Sequence, residues 1–191
     1  MTAAQDPATP CRWRCSRHRS LNCFVDAGRK TGRVHAGYTA SRRERVMTQG
    51  ANREVLPDGS VRMKSGESAL AFARPTSSVL VVTIFGYDKG QFGTAPFDEI
   101  GSVLRVAAPV HLFVDARNAV GATVRVSEDW TSFLSRHRTE LAHVHVLVGS
   151  KMVELTVAIA RHLSRTDRLI QIYSDPAVFE TQLDAACARR R

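Results

Sequence analysis

"VHLFVDARNAVGATVRVSEDW", from Val110 to Trp130, opens as an apolar run and then places Asp115 two positions before Arg117. A short apolar run rich in β-branched and aromatic residues reads as a strand buried on both faces. Asp115 marks the expected end of that strand, where a carboxylate accepts N–H bonds from the following turn. Ser127 then reads as a helix cap, with Glu128 and Asp129 in the first turn favouring the helix dipole. Trp130, Phe133, Leu134, His137 and Leu141 follow at i, i+3, i+4, i+7 and i+11, the single stripe of a helix packed on a sheet.

The same alternation extends in both directions. Upstream, "VLVVTIFG" (Val79–Gly86) is continuously apolar and predicts a strand buried on both faces. "YDKGQFGTA" is a Gly-containing loop. Pro96 starts a helix that carries Phe97, Ile100, Leu104 and Ala107 or Ala108 on one face and stops at Pro109. Before these, "LPDG" is a turn, and "SVRMK" and "ALAFAR" alternate as an edge hairpin around "SGES". Downstream come the strand "HVHVLVG", a turn and cap at Gly149-Ser150, and the helix "KMVELTVAIARHLS", whose apolar residues on more than one face predict deep burial. "LIQIYS" is the last strand, and Asp175-Pro176 caps and launches the final helix. Helices between apolar strands require parallel pairing with right-handed crossovers. The expected fold is therefore one layered α/β domain over 47–191, with a mixed, mostly parallel sheet of about five strands and four helices.

Residues 1–46 differ in character. They hold ten Lys/Arg and three Asp/Glu, a charge of +7 out of the chain's +9, and no period of 2 or 3.6 orders their apolar residues. A disordered basic leader, or upstream sequence wrongly included ahead of Met47, is the preferred reading. Zinc binding by Cys11, Cys15, Cys23, His18 and His35 stands beside it, although no tight C-x2-C pair is present. Nucleic-acid attraction through the arginines and an organelle-targeting leader are further readings. The near-neutral remainder confines any polyanion argument to this leader. No apolar run approaches the roughly 20 residues of a membrane span, and the N-terminus lacks the apolar stretch of a secretory signal. A cytoplasmic protein with free thiols, including Cys187 on the last helix, is expected.

On the order of elements, on Gly86 after one central strand and on Asp115 at the end of the next, the chain from about Ala69 onward resembles the STAS domains of anti-sigma-factor antagonists. Related lipid-binding-like α/β domains share the plan. The resemblance implies a non-enzymatic switch. Such a domain binds a partner kinase, sensor or anti-sigma-like protein through the loop and helix after the Asp-bearing strand, and is phosphorylated at a Ser or Thr near the helix start. The family's Asp-Ser-Ser-Gly is absent, and "GATVRVSEDW" stands in its place. Thr123 matches the phosphorylated position by spacing, and Ser127 by its place at the expected helix start.

In a parallel sheet, ligands gather beyond the carboxyl ends of the strands. That rim collects Tyr87, Asp88, Lys89, Asp115, Arg117, Asn118, Thr123, Ser127, Ser150, Lys151, Ser174 and Asp175. A partner or ligand surface is expected over Asp115, Arg117, Asn118, Thr123, Ser127, Ser150 and Lys151. The alternative to a partner switch is a small-molecule or anion binder, or an enzyme, with Asp115 as base or anchor and Lys151 or Arg117 holding an anion. Gly149-Ser150-Lys151 offers free N–H groups to an anion, yet lacks the longer glycine loop of a nucleotide site. His143 and His145 alternate on one strand face, and His111 stands at a strand start. No third ligand for a metal is visible there, and no catalytic set has a local signature. No cofactor and no metal are expected.

Overall fold

The computed structural model describes residues 12–13, 21–22, 51–163 and 168–189. The chain divides into two units, Met1–Thr48 and Gln49–Arg191. In the first, Arg12–Trp13 pairs antiparallel with Leu21–Asn22. The leader's cysteines and histidines, and the disorder expected of it, lie outside the described residues.

The second unit runs β1 (Asn52–Val55), β2 (Val61–Ser65), β3 (Ser68–Thr76), β4 (Val79–Asp88), α1 (Ala95–Ala107), β5 (Val110–Ala122), α2 (Val124–Arg136), β6 (Leu141–Val148), α3 (Lys151–Leu163), β7 (Ile170–Tyr173) and α4 (Pro176–Ala188). The sheet has seven strands rather than five, hydrogen-bonded in chain order. β1 to β4 pair antiparallel and β4 to β7 pair parallel. The expected mixed, layered α/β architecture with four helices is present. β1 escaped the sequence reading because all four of its residues are exposed, so no apolar alternation marks it.

Strand order fixes where the helices go. Each crossover from β4 to β7 steps to the next strand in the same direction, and right-handed connections then place α1, α2 and α3 on one face. Leu112, Val114 and Ala116 of β5 meet Ile100 and Leu104 of α1, Phe133 and Leu134 of α2 and Val153 of α3 in the main core. Alternate residues point the other way. There Phe113 packs against Phe179 of α4, with ring centroids 5.5 Å apart. One helix thus covers the face opposite the other three.

Four sequence expectations are corrected. β5 does not stop at Asp115 but runs on to Ala122. Its pairing with β4 slips by one residue between Thr83 and Phe85, and again between Gly86 and Tyr87. These two bulges insert extra β5 residues and bend the strand. β6, in contrast, pairs with β5 only as far as Ala116↔Val148. Second, Ser127 is not the cap of α2. Thr123 is, its Oγ1 accepting from the Val126 N–H at 3.4 Å, while Ser127 lies in the first turn. Third, Leu141 opens β6, because α2 ends at Arg136. Fourth, the two-sided burial expected of the strand from Val79 to Gly86 holds only over Val79–Val82, and Phe85 is exposed.

The apolar α3 is also less buried than its sequence suggests. Met152, Leu155 and Ile159 are 69%, 58% and 51% exposed. A single sheet layer covers only one side of a helix, and the remaining apolar stripe has no partner among the described residues. No described helix is long and apolar enough to cross a membrane.

Candidate functional site: the carboxyl end of the sheet

Asp115 is fully buried, on the α4 side of the sheet, at the first bulge. Arg117 Nε donates to its Oδ1 at 3.0 Å and to its Oδ2 at 3.1 Å, and the Arg117 backbone N–H donates to Oδ1 at 3.2 Å. Arg117 Nη2 reaches on to Glu180 of α4 at 3.5 Å. The carboxylate therefore accepts an N–H two residues ahead, as the sequence predicts. It does so inside a bulged strand instead of at a strand end. A side chain so enclosed and so bonded is not placed to meet a ligand at the rim.

The bulge explains the next residue of the site. A Cβ on Gly149, which follows β6, would collide with the carbonyl oxygen of Arg117. Only glycine lets the two backbones approach so closely. Ser150 then caps α3, its Oγ accepting from the Val153 N–H at 3.3 Å. Lys151 is exposed and pairs with Glu154 at 2.8 Å. Asp175 caps α4 as the sequence predicts, accepting from Ala177 N–H at 2.8 Å.

At the end of β4, Asp88 Oδ1 accepts from Gly90 N–H at 2.8 Å, and the Asp88 carbonyl accepts from Thr123 N–H at 3.0 Å. Burial raises the Asp88 pKa above the ordinary carboxylate value, and the Gly90 hydrogen bond offsets part of that rise. Gly86, within β4, has φ +80°, and a Cβ there would lie 3.0 Å from the Glu67 carbonyl oxygen. Its positive φ and this close approach both call for glycine. Ser127 Oγ donates to the Thr123 carbonyl at 3.1 Å. Asn118 is exposed and lies opposite Phe85.

Between the sheet, α2 and α3 lies a cavity of about 130 Å³. Val114, Ala122, Val126, Trp130, Val153 and Val157 are among its walls, and Asp88 and Ser127 supply polar groups at its edge. None of Asp115, Arg117 and Lys151 lines it, so the structure does not bring the expected base or anchor and the expected anion-holding cations to this cavity. Small β5 side chains (Ala116, Ala119, Gly121 and Ala122) leave the space, since bulkier ones would fill it. The sequence reading passed over these residues. The signal available was the spacing of Val126 with Trp130 and of Val153 with Val157, which puts each pair on one helix face.

A larger groove of about 510 Å³ separates α1 from α2. Phe97 and Trp130 meet edge to face at 5.1 Å within it. Lys89, Arg105, Arg125 and Arg136 line it together with Asp88, Asp98 and Asp129, so the two signs nearly balance.

No family model and no curated protein matches the chain. Among solved structures, the chain is similar to an uncharacterized protein of the DUF3478 family with a SpoIIAA-like fold, from Shewanella loihica PV-4. The match has 16% identity and a TM-score of 0.46, over 65% of this chain and 99% of that one.

Proposed function

We propose that the protein is a non-catalytic binding module of the STAS-like type, which seats one apolar side chain of a protein partner between α2, α3 and the carboxyl end of β5. The observation that carries this reading is the apolar cavity bordered by exposed apolar residues. At 100° per residue along α3, the exposed Met152, Ile159 and Leu155 lie about 40°, 60° and 100° from the lining residue Thr156, so the apolar stripe borders the cavity on the Thr156 side. Val120 and Val124, both exposed, flank the lining residues Gly121 and Ala122. Contiguous exposed apolar surface marks interaction sites. Size favours a partner over a free ligand. Drug-sized molecules occupy roughly 300–1,000 Å³, whereas a cavity near 150 Å³ takes a single benzene ring. About 130 Å³ therefore suits one aromatic or branched side chain.

Catalysis at this rim is disfavoured by the burial of Asp115 against Arg117, which removes the candidate base from any substrate. Of the two hydroxyls considered for phosphorylation, Thr123 caps α2 and Ser127 borders the cavity. A phosphate at either would change the charge at the edge of the binding surface.

The test uses the full chain as bait in an extract of its own cells, beside two variants: Met152→Gln with Leu155→Gln, and the cavity-filling Ala122→Leu. A partner retained by the native chain and lost from both variants supports the reading, and binding should shift the fluorescence of Trp130. Equal recovery by all three would place the interaction elsewhere.

A further inference from the structure

The α4 side of the sheet carries a group of side chains that the cavity does not use. His111 of β5 stands directly opposite His143 of β6, and His145 lies two residues further along the same face. Ring centroids are 5.5 Å apart for His111–His143, 5.8 Å for His143–His145 and 6.3 Å for His111–His145. With Gln171 of β7, Gln182 of α4 and Arg189 at its end, the three imidazoles line a cavity of about 90 Å³. This face is the opposite one from the proposed partner surface and stands independently of it.

Each of these polar side chains donates hydrogen bonds or can do so by gaining a proton: three imidazoles, two amides and a guanidinium. No carboxylate among the described residues lines the cavity. His143 Nδ1 is buried without a hydrogen-bond partner, a cost that a bound group would remove. The Tyr173 hydroxyl donates to Gln171 Oε1 at 2.6 Å, so its oxygen accepts from His145 Nδ1 at 2.9 Å. Besides the imidazoles, Tyr173 from β7 and Arg189 from the end of α4 stand at this group; further along the same face Asp115 of β5 is paired with Arg117, which reaches Glu180 of α4, and β4 contributes Val79 beside His111. Burial, then His143 and His111, lower the His145 pKa to about 4. Like charges this close repel, and only an anion among them reverses the effect.

No group of His, Cys, Asp or Glu among the described residues has the arrangement of a metal site. The His111 ring plane lies 29° from that of His143 and 19° from that of His145, so their nitrogens run alongside one another more than they converge.

The geometry points to a site for a small oxyanion on this face, held by the imidazoles of His111 and His143, the two glutamine amides and Arg189, and bound with uptake of a proton. Linkage requires binding and protonation to strengthen each other.

Sulfate is the probe, because it takes up no proton in the range where histidine titrates. Imidazole C2 protons of the full chain are followed by NMR against pH, in sodium sulfate and in sodium chloride of matched ionic strength. Sulfate should move the C2-proton curves of the site to higher pH, and should bind roughly tenfold tighter per pH unit lowered while one proton is taken up. Arg189→Gln, at an exposed position, should weaken binding with the near-UV circular dichroism unchanged. Identical titration curves in the two salts would overturn the site. So would sulfate binding that neither Arg189→Gln nor His143→Gln weakens. Zinc that binds and lowers the apparent pKa values would make it a metal site instead.

Discussion

Gly149 lies against the backbone of Arg117 so closely that no side chain fits between them. The contact joins the β6–α3 turn to the bulge of β5, and through it the start of α3 is positioned. Gly149→Ala must push the bulge or the turn aside. Overpacking of this kind costs about 1–3 kcal/mol. Urea denaturation should show that loss, and a midpoint equal to the native one would mean that the two backbones are not held together.

The Asp115–Arg117 pair should respond unequally to truncation. Arg117→Ala leaves a fully buried carboxylate without its guanidinium, a situation that costs about 3–5 kcal/mol. Asp115→Ala leaves an arginine that still reaches solvent and Glu180, and should cost about 1–3 kcal/mol. Chemical denaturation of both variants checks the order. A larger loss for Asp115→Ala would show that the Arg117 backbone N–H, not the ion pair, dominates.

Acid should destabilise the fold through His145. Its folded pKa is about 4, below the ordinary histidine value of 6.5. Between those values the unfolded chain binds a proton that the folded one refuses, so stability falls as pH drops from 6.5 toward 4. The slope approaches about 1.4 kcal/mol per pH unit for one full proton. His145→Phe should flatten the curve in that window. A slope unchanged in the variant would assign the acid sensitivity to other groups.

Replacing Met152, Leu155 and Ile159 with glutamine should leave stability within about 0.5 kcal/mol per site, as for surface positions. A thermal melt tests this directly. A large loss of melting temperature would show that the stripe is covered in the intact protein by a segment of the chain itself.

Much of the fold was legible because β4 to β7 are marked by apolar runs and the caps at Ser150 and Asp175 by side-chain chemistry. β1 was not, since a fully exposed edge strand is defined by hydrogen bonds to β2 and not by its side chains. Ser127 misled because Glu128 and Asp129 suit a first helical turn. The true start at Thr123 depends on the bulges, which lengthen β5 until the Asp88 carbonyl can accept the Thr123 N–H. The site was harder still. Asp115 and Lys151 stood out as charged residues near expected strand ends, but face orientation separates them. His111 gained its meaning only from register, which sets it against His143 across the β5–β6 ladder.

Beyond Ala116, β5 has lost β6 as a neighbour and keeps only β4. The outer backbone edge of its last six residues, Arg117–Ala122, has no ladder partner among the described strands, and past Asn118 they form with β4 a ribbon of two strands. A ribbon lacking a third strand opens more readily than a sheet interior. Amide exchange should therefore run faster over 117–122 than over 110–116 of the same strand. The lip of the apolar cavity is, in this sense, its most yielding wall, and can widen for an incoming side chain while the rest of the domain stays closed.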